Sequence, residues 1–345
     1  MDESFLEKIL NLSHSSRLPE HDYILKLADS TCSVLETENV FYRPAAEDGT
    51  PGGLIDFTRQ KTPRLPVIIV PDLHARTYFL RNILQFMLPA EQADEPRMTV
   101  FQALEQKKVF LVCVGDLLHS EMRGRERWLE ARNEFSGGNK CGPAMTQEMT
   151  EGLSLLCMAM ELKCAFPEQF HILKGNHENI LNRTGNGDFS FRKFADEGEM
   201  TRLFIEEKYG DEILYIISLF EHLLPLVAAF PECVISHGEP FRAFSRTEII
   251  NGRENGSIIS GLTWTENNKS EVGSVAKMLQ ECTNRSDFLN ARYLAGHRPV
   301  KGNYALRQNG LFVQIHNPER QNIALVRAGT IFNPETDIIC VSPKR

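Results

Sequence analysis

Aspartate, asparagine and histidine side chains recur where metal chemistry would want them, and His119, His177 and Glu178 are among the donors on offer. Asp72 and His74 are two residues apart, so an extended chain turns both to one side. Asp116, Asn176, His237 and His297 each lie at the end of a short apolar run. Carboxylate, imidazole and amide oxygen together form a borderline-hard donor set, suited to Mn, Fe, Zn or Co and unsuited to Cu(I) or an iron–sulfur cluster. The donors are too many for one ion, and Asp116 is a natural bridge between two. Two ions roughly 3.5–4 Å apart are the arrangement that clamps a phosphoryl group and acidifies a water held between them. His177 follows Asn176 directly and points differently, so one of the pair can reach a metal while the other faces substrate.

The elements that must position these residues are legible in the same stretches. LPVIIV (65–70), VFLVCV (109–114), HILK (171–174), CVIS (233–236) and YLAG (293–296) are short and apolar, as buried strands are. They run into PDLH, GDLLH, GNHE, SHGE and GHRP. Any one of these histidines alone reads as an ordinary hydrogen-bonded residue. Five strand ends with the same habit argue for one site, because the carboxyl ends of an open α/β sheet converge and ligands bind there. Residues 67–74, 109–116, 170–177, 233–237 and 293–297 are therefore expected to meet at one rim.

Helical spacing of apolar residues marks 1–12 and 20–36, followed by a Pro/Gly-rich connector, YRPAAEDGTPGG. The late stretches YALRQNGLFVQIHN, NIALVRAGT and DIICVS read as antiparallel strands, suggesting an α/β core with a second sheet packed on it. ILYIISLFEHLLPLVAAF carries Glu221, His222 and Pro225, so it reads as a buried helix and a strand rather than a membrane span.

The formal net charge of −8 over 345 residues argues against a nucleic-acid groove. Eight cysteines form no CxxC pair and are expected to be buried, reduced thiols of a cytoplasmic protein. The start, MDESFLEKIL, does not read as a secretory signal.

The ordered set DLH, GD, GNHE, HGE and GHRP resembles the motifs of the calcineurin-like metallophosphoesterases, and is most similar to the PPP-type serine/threonine protein phosphatases. The likeness runs over roughly residues 65–320 and includes GLSLLCMAMELKCAFPEQFHILKGNHE, GLTWTEN and RYLAGHRPVKGNYALRQNGLFVQIHN. It implies a two-sheet α/β/β/α sandwich over residues 61–345 with an N-terminal helical extension over 1–60. It also implies two divalent or trivalent ions (Mn, Fe or Zn). Asp72 and His74 would hold the first, Asp116 would bridge, and Asn176, His237 and His297 would hold the second. Asn176 would also contact phosphate. His177 would protonate the leaving alkoxide while a hydroxide carried by the metals attacks phosphorus in line. Glu178 would orient a neighbour.

The departures are specific. The family's Gly-Asp-x-x-Asp-Arg-Gly is replaced by GDLLHSEMRGR, so His119 stands where an Asp usually supports the catalytic histidine and Ser120 where an Arg usually clamps phosphate. Either His119 or Glu121 takes over support of His177. The clamping arginine must come from elsewhere, with Arg76, Arg123, Arg125 and Arg253 as candidates; Lys174 reads as an ion-pair partner. The extra material at about 119–148 is either a solvated helix or a lid over the site.

The expected activity is dimetal phosphomonoester hydrolysis, with a phosphoserine or phosphothreonine protein as substrate. A small-molecule phosphatase or phosphodiesterase, such as a dinucleoside polyphosphate hydrolase, is the alternative. A non-catalytic binding module on the same fold is a third reading. Neither nucleic acid nor membrane is an expected partner.

Overall fold

A computed structural model describes residues 3–59, 65–89 and 97–342; the expected boundary at 60–61 lies outside the described residues. In chain order the elements are α1 (Glu3–Ser13), α2 (His21–Glu36), β1 (Leu54–Asp56), β2 (Val67–Val70), α3 (Thr77–Gln85), α4 (Val100–Glu105), β3 (Phe110–Cys113), α5 (Arg125–Ser136), α6 (Pro143–Ala165) and β4 (Phe170–Ile172). They continue with α7 (Glu197–Tyr209), α8 (Asp211–Leu223), β5 (Val227–Ala229), β6 (Cys233–Ser236), α9 (Arg246–Ile250), α10 (Gly256–Thr263), α11 (Ser274–Thr283), β7 (Arg292–Ala295), β8 (Ala305–Arg307), β9 (Phe312–Gln314), β10 (Asn322–Val326) and, after a short helical turn, β11 (Ile338–Cys340).

One sheet runs β11-β10-β2-β3-β4 and the other β1-β5-β6-β7-β9-β8. Their apolar residues alternate between two cores, as the strand pleat requires. Val67, Ile69 and Val112 meet Ile235, Leu294 and Val313 between the sheets. Ile68, Val70 and Leu111 face the other way, onto Leu80, Leu153 and Phe220. On the far side of the second sheet, Val234 and Tyr293 pack on Ile249, Leu262 and Met278. The result is the expected α/β/β/α sandwich with helices at the N-terminus. α2 lies against α6 and α8, and α1 against α6 and α3. β1 pairs in parallel with β5, so Leu54–Asp56, expected within the extension, belongs to the second sheet.

The late strands do not form a sheet of their own. β8 and β9 complete the second sheet, while β10 pairs antiparallel with β2 and extends the first. Each sheet thus gains an antiparallel edge, and the chain crosses between sheets in the segment 315–321. The insertion also differs from the first of its two readings. α5 buries Trp128 and Ala131 against α6, so it is not a purely solvated helix, and Glu121 and Arg123 ahead of it line the cleft beside His74. Among the described residues no helix is long and apolar enough to cross a membrane.

Candidate metal centre

β2, β3 and β4 are parallel in one sheet, and β6, β7 and β9 in the other. Their carboxyl ends bring the expected donors together. His74 Nδ1 faces the His119 carbonyl at 3.0 Å, which assigns its proton there and turns a bare Nε2 inward. That Nε2 lies 3.6 Å from Asp116 Oδ2 and 3.8 Å from Asp72 Oδ2. His237 does the same, with Nδ1 on the Val114 carbonyl at 3.0 Å. Its Nε2 sits 2.8 Å from Asn176 Oδ1, 3.1 Å from His297 Nδ1 and 3.6 Å from Asp116 Oδ2. Asp116 therefore stands between two clusters.

The backbone is bent to achieve this. His74, Asp116 and His297 adopt left-handed φ values of 45°, 55° and 64°, a strain typical of functional sites. Asp72 Oδ1 accepts from the His297 N–H and Asp116 Oδ1 from the His177 N–H, both at 3.0 Å, leaving each Oδ2 directed into the site. These approaches need glycine. A Cβ on Gly296 would stand 1.8 Å from Asp72 Oδ1, and one on Gly175 2.3 Å from Asp116 Oδ1. Glu178 ties the loops after β3 and β4 together, its carboxylate accepting from the N–H groups of Asp116, Leu117 and Gly175.

The donors fit cations. Asp72 Oδ2 and His316 Nδ1 are buried without a hydrogen-bond partner, which native interiors rarely tolerate. Burial and the neighbouring Asp72 and Glu178 push the Asp116 carboxyl well above the usual range. Positive charge between these groups would relieve both conditions. Asp72, His74 and Asp116 could hold one ion, and Asp116, Asn176, His237 and His297 a second.

His177 stands beside the cluster, its Nε2 3.7 Å from Asp116 Oδ2. Its Nδ1 meets His119 Nδ1 at 2.9 Å, and His119 Nε2 reaches Thr201 Oγ1 on α7 at 3.1 Å. Burial and His74 push His119 down to about 3, so it is neutral. Of the two candidates for supporting His177, the structure places His119 there; Glu121 turns instead to His316 Nε2 at 2.9 Å. The Phe191 ring covers His177 with centroids 3.8 Å apart.

The phosphate-clamp candidates separate cleanly. Arg76 lies beside the site, but its guanidinium is consumed by the carbonyls of Asp72, Leu73, Asn317, Pro318 and Arg320. It braces two loops and also lines the cleft beside His74. Arg253 is spent on the Pro51 and His222 carbonyls and the Thr50 hydroxyl, away from the donor cluster. Both guanidinium groups are bonded to backbone oxygen, and of the two only Arg76 lines the cleft beside His74. Lys174 pairs with Asp188 and the Glu178 carbonyl, as a structural cation. Ser120 turns inward onto Glu148. Arg123 is held by Glu151 and the Ala75 carbonyl, and lines a cleft of about 370 Å³ with His74, Arg76, Tyr78, Glu121 and Glu319.

His316, Phe191 and Lys193 were not expected at the site. His316 had a usable signal, since FVQI running into His-Asn repeats the habit of the other strands. Phe191 and Lys193, which pairs with Glu121 at 3.3 Å, come from a loop with no such pattern.

A family model described as calcineurin-like phosphoesterase matches residues 65–319. Among solved structures, the chain is similar to a protein serine/threonine phosphatase from Saccharomyces cerevisiae with similarity to human phosphatase PP5. That match has a TM-score of 0.61 at 14% identity and covers 99% of this chain and 95% of that one. A putative diadenosine tetraphosphatase (TM-score 0.41, 15% identity, 84% and 97% covered) and a cold-active protein-tyrosine phosphatase of a psychrophile Shewanella sp. (0.44, 12%, 84% and 85%) are more distant. No curated protein matches the sequence.

Proposed function

The chain belongs to the calcineurin-like phosphoesterase family, and from that premise we propose that it is a metal-dependent phosphatase acting on phosphate monoesters, with phosphoserine or phosphothreonine in proteins as substrate. The two-sheet body is the catalytic unit; residues 1–60 supply two bracing helices and one edge strand. The observation that carries the reading is the placement of Asp116 Oδ2 at 3.6 Å from both His74 Nε2 and His237 Nε2, one from each cluster.

Asp72, His74 and Asp116 would hold one ion and Asp116, Asn176, His237 and His297 the other. When bound, such a pair supplies charge to stabilise phosphoryl oxygens and acidity to make water a nucleophile near neutral pH. The residues do the rest. His177 gives its proton to the leaving oxygen. His119 fixes the ring of His177 through the Nδ1–Nδ1 contact. Glu178 locks the two loops that carry Asp116 and Asn176. Arg123, on the cleft wall, is the cation that meets the incoming phosphate in place of the family's arginine.

A small phosphate compound is a second reading with two observations behind it. Phe191 covers His177, and the cleft beside His74 has the volume of a small-molecule site. The test is turnover by the purified full chain with added Mn²⁺ of an aryl phosphate, phosphoserine peptides and a dinucleoside tetraphosphate. Peptide turnover above that of the dinucleotide supports the first reading, and the reverse supports the second. No turnover of any of the three by a protein carrying two ions overturns the enzymatic reading.

A further inference from the structure

We infer that His316 is an additional ligand of the ion held by Asp72, His74 and Asp116, with Glu121 fixing its ring. The inference rests on the metal-centre reading above and adds two residues to it.

His316 is fully buried, at the point where the chain leaves β9 and crosses to the first sheet. Its Nε2 lies 2.9 Å from Glu121 Oε2. An ionised carboxylate only accepts, so the proton of that contact belongs to Nε2. In the neutral ring Nδ1 then carries a lone pair. It faces Asp72 Oδ2 at 3.7 Å, too far for a hydrogen bond, and neither atom has another partner. Two buried acceptors aimed at each other across a gap are repulsive unless something positive lies between them. The His74 ring stands beside the His316 ring, centroids 5.5 Å apart, so His74 Nε2 borders the same space.

The arrangement has the logic of metal-bound histidine elsewhere. One ring nitrogen is held by a carboxylate that sets tautomer and orientation, and the other is presented to the ion. Glu121 does more than orient, because its other oxygen, Oε1, lies 3.8 Å from His74 Nε2. Arg76 supplies the mechanical link. It bonds the Asp72 carbonyl on one loop and the Asn317 carbonyl on the other, holding the two donors' loops in register. A core histidine with only a packing role would need none of this; it would have a partner for Nδ1.

The test compares apo wild type, His316→Ala and His316→Gln, each titrated with Mn²⁺ and Zn²⁺ by calorimetry and melted with and without metal. The expected result is two sites in wild type. In both variants one site should weaken by about 10–100-fold or more, while the other keeps its affinity. Apo melting temperatures should stay alike, and the variants should gain less from metal than wild type. Glu121→Gln should weaken the same site by a smaller factor. Two unchanged sites in His316→Gln would overturn the inference while leaving the metal centre intact. So would an apo melting temperature lowered as much as the metal-loaded one, since His316 would then be structural. No binding by wild type itself would remove the metal-centre reading and this one with it.

Discussion

Nδ1 of His119 lies 2.9 Å from Nδ1 of His177, and the pair continues to Thr201. One nitrogen donates and the other accepts, so the ring of His177 is fixed with Nε2 toward the donor cluster. The His119 side chain is bonded to His177 and Thr201, so its ring acts on the chemistry through His177, while its carbonyl orients His74. His119→Ala should therefore slow hydrolysis of alkyl phosphates by about 10-fold or more, less than the typical 10²–10⁴-fold worth of a general acid itself. Metal content should not change. His119→Asp should recover much of the loss, because a carboxylate there can accept from Nδ1–H. Equal slowing of aryl and alkyl esters in His119→Ala would contradict the positioning role.

His177→Ala should keep both ions, because the surrounding donors Asn176, His237, His297 and Asp116 remain. Turnover of alkyl phosphates should fall about 10²–10⁴-fold. A nitrophenyl phosphate should lose much less, since nitrophenolate leaves without a proton. Elemental analysis beside the two rates separates acid from ligand. Parallel losses on both substrates with an emptied metal site would make His177 a ligand.

Asp116→Asn should lose far more activity than Ser120→Ala. Groups that merely orient a ligand are worth about 10–100-fold, so a carboxylate between both clusters should be worth at least the upper end, with at least one ion lost. Ser120 is buried on Glu148, away from the donors. Its removal should cost about 1.5–3 kcal/mol of stability, the value of a hydrogen bond to a charged group, and little turnover. Urea unfolding and turnover measured on the same preparations check both halves.

The contrast between these residues also marks where the sequence is legible. A strand that ends in its own donor, as Val67–Val70 does in Asp72 and His74, announces itself, because apolar run and donor are adjacent in the chain. The partner of a donor does not. Glu121 meets His316 across 195 positions and Arg76 meets Arg320 across 244. Nothing near Arg76 in sequence says that its guanidinium is already occupied. His119 could be named as a candidate because motif position survives substitution, but the choice between His119 and Glu121 needed the loop geometry. The division of the late strands between two sheets was equally hidden, since hairpin patterning fixes a strand's neighbour and not the sheet it joins.

The last prediction concerns stability and lies away from the metal centre. Glu38, on the chain just after α2, is buried with Lys163 of α6, Arg43 and His171 of β4. Lys163 Nζ reaches Glu38 Oε1 at 2.5 Å. Burial works to raise the Glu38 carboxyl, but Lys163, His171 and Arg43 outweigh it and hold the group well below the usual range. Burial and Lys163 push His171 down to about 4. Both shifts have the same sign for stability. A carboxyl depressed in the folded state stabilises at pH above its unfolded value and loses that contribution as pH falls toward its folded one. A histidine depressed to about 4 leaves the unfolded chain binding more protons between that value and about 6.5, so folding weakens as pH falls through that window. The fold should therefore lose stability progressively below about pH 6.5. Glu38→Gln should remove the carboxyl's share and leave Lys163 and Arg43 buried against a neutral amide. Breaking one side of a buried pair costs about 3–5 kcal/mol, so its urea midpoint should drop sharply at pH 7. The difference between wild type and variant should shrink as pH approaches the folded value of Glu38. That shrinkage lies below the unfolded carboxyl value of about 4.3, so a midpoint difference that stays constant from about pH 4.5 down to about pH 2 would argue against the ion pair as the source of the stability, and a variant as stable as wild type at pH 7 would show that this network does not pin the N-terminal helices to the sandwich.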